Sequence, residues 1–152
     1  MALQTGQAST GPALPPMRVR VLGPDSAELS AADLKRLFRG RHLTPARRHR
    51  LADGGRVLAV CGSRVVGLAA YERADGEFRV HEFGIDDASP CRVEEIAVAL
   101  IDALETACLA GGGNRLVLLP RASVGDLFLR QRGYAPIAEG CAGSWFVKRF
   151  PS

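Results

Sequence analysis

The chain has 152 residues, of which 47% are hydrophobic and 24% charged, and its formal net charge is +4. That length and balance fit one globular domain with an ordinary core and exclude a collagenous or wholly disordered chain. No apolar run reaches the ~20 residues that a membrane-crossing helix needs, and so mild a charge does not by itself argue for nucleic acid.

Met1 to Pro16 carries no charged side chain and no periodicity, so it reads as a flexible tail ahead of a single domain over 17–152. It also lacks the basic and apolar blocks of a signal peptide. MRVRVLGP, from Met17, alternates apolar and basic residues and predicts a strand with one buried face. Ser30 then matches the N-cap of a helix through SAADLKRLFRG, with Asp33 in the capping-box position and Gly40 past its end. A second helix is predicted to open at Thr44-Pro45 and to end at Asp53-Gly54-Gly55.

A β-rich stretch follows. RVLAVCG and RVVGLAAYE are strand-like and separated by Gly62-Ser63, and Asp75-Gly76 marks a second hairpin turn before EFRVHEFGI. In that last strand Phe78 and Val80 share one parity, while Phe83 and Ile85 have the other. Either one extra residue is inserted near His81-Glu82 as a β-bulge, or the strand is buried on both faces.

Ser89-Pro90 is expected to open the strongest helix, in which Val93, Ile96, Ala97, Leu100, Leu104 and Ala107 recur at helical spacing until Gly111-Gly112-Gly113. RLVLLP then suits a central buried strand, SVGDLFLRQRG a short helix ending at Gly133, and SWFVKRF a closing strand. A helix joining two strand runs implies one parallel crossover within an otherwise antiparallel sheet. The expected class is therefore α/β (α+β): a mixed, mostly antiparallel central sheet flanked by helices.

This order resembles the GNAT superfamily of acyl-CoA-dependent N-acyltransferases, and three segments carry the likeness. RVEEIA, opening the long helix, is similar to the family's Gln/Arg-x-x-Gly-x-Gly/Ala pattern, with Arg92, Glu95 and Ala97 at the specified positions. GNRLVLLP looks like the strand that follows, and DLFLRQRGYAPI like the family's "LYEKLGF" junction. The resemblance implies acetyl-CoA as co-substrate and an amine of a small molecule or protein as acceptor. It also implies cofactor contacts from Phe83 and Ile85 on the strand and from Arg92, Val93, Glu95 and Ala97 at the helix start, whose N–H groups would hold the pyrophosphate. The departures are Glu95 where the pattern has glycine, and Leu129 where the family often carries a tyrosine acid. Water, Ser123 or Tyr134 are left as substitute donors, and Tyr134 also fits as packing beneath the sheet. Read without the family, the helix start is simply capped by Ser89 and Pro90 with acids in its first turns.

Acyl transfer to an ammonium needs a base, and Glu82 is the first candidate, with His81 second, both beside the inferred bulge. Each also reads as an ordinary exposed strand position. LKRLFRGRHLTPARRHR concentrates Lys35, Arg36, Arg39, Arg41, Arg47, Arg48 and Arg50 with His42 and His49. Such a run either attracts an anion or an acidic acceptor, or is a solvated face; with Phe38 as its one aromatic, nucleic acid ranks last. The four cysteines Cys61, Cys91, Cys108 and Cys141 form no CxxC pair, which predicts free thiols, a cytoplasmic setting and no metal site. At a helix N-terminus, Cys91 would have a lowered thiol pKa. A GNAT-like module that binds a ligand or partner without turnover is the alternative to the enzyme, and a homodimer remains open.

Overall fold

Two tight turns organise the middle of the sheet. Gly62 has φ 64°, and Asp75 and Gly76 have φ 51° and 80°, the left-handed pair that matches the twist of a two-residue hairpin. The computed structural model describes residues 17–22, 29–39, 44–46, 55–119, 124–137 and 145–151. Strands β1 (Met17–Leu22), β2 (Gly55–Cys61), β3 (Arg64–Ala74), β4 (Glu77–Ile85), β5 (Arg115–Leu118), β6 (Ala135–Pro136) and β7 (Phe146–Arg149) form one sheet in the order β1-β2-β3-β4-β5-β7-β6. Every neighbouring pair is antiparallel except β4 and β5. That parallel pair is joined by helix α2 (Val93–Ala110), as the predicted crossover requires.

The two faces of the sheet carry separate cores. Ile96, Leu100 and Leu104 of α2 pack with Val57, Ala59, Phe78, Val80 and Phe83 on one face, joined by Leu129 from α3 (Asp126–Gln131). Leu37 and Phe38, at the end of α1 (Ala31–Leu37), pack with Leu58, Val60, Leu68 and Ala70 on the other. A glycine makes each helix contact close. A Cβ on Gly67 would lie 2.7 Å from Ile96, and one on Gly84 would lie 2.8 Å from the Leu37 carbonyl oxygen.

Several local expectations change. Ser30 and Asp33 do form the reciprocal capping box, but α1 stops at Leu37 with Phe38 as its C-cap, short of Gly40. Residues 45 and 46 are helical; the rest of that predicted helix and the stretch Met1–Pro16 lie outside the described residues. β1 is an edge strand, and its Val19 is 37% exposed, so the apolar-basic alternation does not bury Val19. The two-residue β6 follows Gly133-Tyr134, where the family likeness implied a helix-to-strand junction, and adds one strand to the expected order. Ser89 and Pro90 do not open α2: Arg92 is the N-cap and Val93 the first helical residue.

Candidate active site

β4 carries the inserted residue that its parity implied. Ala70 pairs with Glu82 but Tyr71 pairs with Val80, so His81 is the extra residue of a bulge. The insertion returns Phe83 to the core of Phe78 and Val80, with Ile85 packed against it. The second reading holds only for the end of the strand: Glu82, Phe83 and Gly84 are consecutively buried, whereas Arg79 is exposed. The β4–β5 ladder pairs only Glu77–Arg79 with Arg115–Val117, whereas β4 runs on to Ile85. The bulge thus falls where β4 parts from β5, and some main-chain groups beyond it point away from β3 toward the gap.

Phe83 faces the α2 core, so Glu82 faces the α1 side, 3% exposed, with Gly84 beneath Phe38 one step along the same face. His81 is half-buried in the bulge itself. Glu82 and His81 are therefore together at the end of the ladder, with Glu82 the more sequestered. In the same row, Ala70 pairs with Glu82 on one side and with Arg56 on the other. Arg56 is 5% exposed, and its Nε has no hydrogen-bond partner. Sequence reasoning passed over Arg56, although a cation at the parity of Leu58 and Val60 in an otherwise apolar strand was a readable signal.

The start of α2 lies beyond a loop built on Asp86. This carboxylate is fully buried and accepts from Arg36 Nε at 2.9 Å, from Arg64 at 2.8 Å and from the Ala88 N–H at 3.1 Å. Arg36 also donates to Asp33 and to the Val65 carbonyl. Asp86 so ties α1, the start of β3 and the loop after β4 to one point, and nothing in the sequence distinguished it from Asp87. Ser89, the expected cap, donates instead to the Cys91 carbonyl.

No side chain caps the N-terminus of α2, so its first N–H groups are offered to the surface, the arrangement that suits an anion. Glu94 and Glu95 crowd the same field, both exposed, at 3.6 and 4.0 Å from the Arg92 guanidinium. With Val98, Ala99 and Asp102 they line a shallow cavity of about 470 Å³ along the helix. Val93 is half-buried at the first turn, and Ala97 is buried in the core.

Of the basic stretch, Arg36 is spent on Asp33 and Asp86, Arg39 lies 3.6 Å from Asp87, and Lys35 is exposed. Arg41, His42, Arg47, Arg48, His49 and Arg50 lie outside the described residues, as does Ser123. Leu129 is buried in the α2 core. Tyr134 does pack beneath the sheet: its hydroxyl donates to Glu105 at 2.8 Å, and Lys148 holds that carboxylate at 3.2 Å. Burial first, then Glu105, pushes the Tyr134 pKa up, so its proton is held rather than offered. The expectation of an activated Cys91 fails too. Burial and the Cys61 sulfur 2.6 Å away raise its thiol to about 11. Among the described residues no group of His, Cys, Asp and Glu could hold a metal ion, and no helix is long and apolar enough to cross a membrane.

No family model matches the chain, and no curated protein does either. Solved structures do. The PaiA N-acetyltransferase of Thermoplasma acidophilum, determined with coenzyme A, superposes with TM-score 0.63 at 12% identity, covering 89% of this chain and 99% of that one. The GNAT domain of PAT from S. lividans gives 0.64 at 19% identity, covering 88% and 90%. The N-acetylglutamate synthase of Neisseria gonorrhoeae, with coenzyme A and N-acetyl-glutamate, gives 0.67 at 12%, covering 89% of this chain and 36% of that one. This chain has the GNAT acetyltransferase fold.

Proposed function

We propose that the chain is an acyl-CoA-dependent N-acyltransferase that moves an acetyl group from acetyl-CoA to a primary amine by direct attack. The observation that carries this reading is the conjunction on β4: a bulge at His81, a buried Glu82 beside it, and a ladder to β5 that stops at Arg79. Neighbours of the same fold were determined with coenzyme A, which supports a CoA-linked donor. The uncapped start of α2, from Arg92 and Val93 to Ala97, is where its phosphates would be held.

The chemistry asked of this chain is modest. An ammonium must lose a proton before its nitrogen can attack the thioester carbon, and Glu82, removed from water, is a suitable acceptor. N–H groups near Phe83 and Ile85 on the unpaired edge would steady the developing oxyanion. As nitrogen–carbon bonding proceeds, the carbon–sulfur bond breaks; the nitrogen releases its second proton to solvent to leave the neutral amide, and the thiolate takes a proton from solvent, since Tyr134 is committed to Glu105. A small-molecule or protein amine, of acidic character if the basic stretch guides it, is the acceptor class, and a cytoplasmic setting accords with four cysteines that form no CxxC pair.

The second reading, a module that binds without turning over, is favoured by Glu95 at the phosphate field and by Leu129 in the core. Calorimetry with acetyl-CoA and a thiol-release assay over a panel of amines separate the two. Binding with release, slowed ~10²–10⁴-fold in Glu82→Gln at unchanged CoA affinity, is expected of the enzyme. Greater damage from His81→Asn would move the base to His81. Binding without release from any amine would leave the module, and no binding of acetyl-CoA would end the enzyme reading.

A further inference from the structure

A buried arginine in the row of the proposed base bears on which amines this site accepts. Arg56, Ala70 and Glu82 are register partners across β2, β3 and β4. All three side chains leave the sheet on the α1 face: Arg56 shares the parity of Leu58, which packs with Ala70 in the second core, while Phe83 beside Glu82 lies in the first. Two strand spacings, about 10 Å, separate the backbones of Arg56 and Glu82, and the row position between them is Ala70, on which the α1 core of Leu37 and Phe38 packs. Arg56 is 5% exposed, its Nε lacks a hydrogen-bond partner, and no described ion pair includes it. Elsewhere on this face arginine burial is compensated, since Arg36 and Arg64 share Asp86.

An arginine whose Nε is buried without a hydrogen-bond partner carries an uncompensated desolvation cost, and such a cost persists in a fold when a ligand answers it. The planar fork of arginine fits a carboxylate. A cation at one end of the row and a carboxylate at the other are complementary to an ammonium and a carboxylate on one small molecule. Glu82 would repel a dianionic phosphate from the same space. We infer that Arg56 binds the carboxylate of the acceptor, so that the amine acetylated here belongs to a small amino acid or a compound with a carboxylate close to its amine. This rests on the reading above, in which Glu82 takes the proton from the acceptor.

The test uses the full chain with L-amino acids and their carboxamides as matched acceptors, read by thiol release from acetyl-CoA, and with the N-acetyl forms of both series as calorimetric ligands in the presence of CoA. At least one acid should exceed its amide tenfold or more in kcat/KM, as losing a charged hydrogen-bond partner implies. That ratio should fall below about threefold in Arg56→Met and be partly kept in Arg56→Lys, with CoA affinity unchanged in both. Removing a buried charge that lacks a protein partner should leave Tm unchanged or raised in Arg56→Met, whereas a purely structural arginine would lower it. If Arg56→Met does not fold, the wild-type ratio and Arg56→Lys decide. Equal use and equal binding of acids and amides by the wild type would overturn the inference, as would an undiminished ratio in Arg56→Met. If Arg56→Met instead changes the preference between succinyl-CoA and acetyl-CoA, the carboxylate belongs to the acyl group and the acceptor assignment is wrong. Should CoA bind but no amine react, calorimetry with the N-acetyl acids and amides tests Arg56 independently of turnover.

Discussion

At the scale of single residues, protons are held tightly on the α2 side of the sheet. Tyr134 keeps its hydroxyl proton and donates it in a hydrogen bond to Glu105, and Cys91 keeps its thiol proton in a buried contact with Cys61. Both pKa values are raised on folding, so between their unfolded and folded values the native state binds more protons than the unfolded one. Stability from these groups is fully present below the unfolded values and is lost as pH rises. For Cys91 the window runs from 9.0 to about 11, and for Tyr134 it opens at 10.0. Urea midpoints should therefore fall from pH 8 to pH 10.5, and the fall should be shallower in Tyr134→Phe and in Cys91→Ala than in the wild type. A wild-type midpoint flat across that range would refute the assignment. Some of this scale was legible in the sequence. The parity fault in EFRVHEFGI located the bulge at His81 because alternation is a local count. The partners of Tyr134 were not legible, because Glu105 and Lys148 lie 29 and 14 positions away and meet it only through the packing of α2 on the sheet. Arg56 was legible in principle, but its meaning depended on register with Glu82, which no local pattern supplies.

At the scale of elements, the two helix starts show when a local signal can be trusted. Ser30 with Asp33 is a reciprocal signal, each side chain bonding the other's backbone, and it held. Ser89-Pro90 imitates a cap and first-turn proline, but its residues belong to the turn that Asp86 anchors, and α2 begins at Val93. The consequence is chemical, since the first turn of α2 meets its surroundings through bare N–H groups and the carboxylates of Glu94 and Glu95. Glu95→Gly removes a like charge and the Cβ from the expected phosphate approach. The Glu95 side chain is 57% exposed, so solvent and salt discount the gain, and CoA should bind about two- to fivefold more tightly at low salt, converging with the wild type as salt rises. Glycine in the first turn costs up to about 1 kcal/mol of stability, which urea unfolding would register separately. Unchanged or weaker CoA binding at low salt would place the pyrophosphate elsewhere.

At the scale of the whole molecule, α1 closes one face of the sheet, and two devices hold it there: the second core around Phe38 and the Asp86 junction. The core was foreshadowed by the apolar residues Leu34, Leu37 and Phe38, yet which strands they cover follows from topology, and Gly84 is the contact that places them over β4. The junction brings Arg64 and Arg36 to Asp86 from 22 and 50 positions away in the chain, so no window of sequence displays it. Asp86→Asn keeps the shape and the capacity to accept one hydrogen bond, while Arg36 and Arg64 lose their counter-charge. Breaking a fully buried pair costs about 3–5 kcal/mol, but both arginines retain solvent contact and can rehydrate in part. The expected loss is about 2–3 kcal/mol. Its distribution is the sharper test. Amide exchange should accelerate in Ala31–Leu37 well before Val93–Ala110, because α2 is secured by its own core on the opposite face. The acceptor KM should rise with the displacement of α1, while CoA affinity stays close to that of the wild type. Equal acceleration in both helices would mean that Asp86 supports the fold generally, and an undisturbed α1 would mean that the second core alone holds α1 on the sheet.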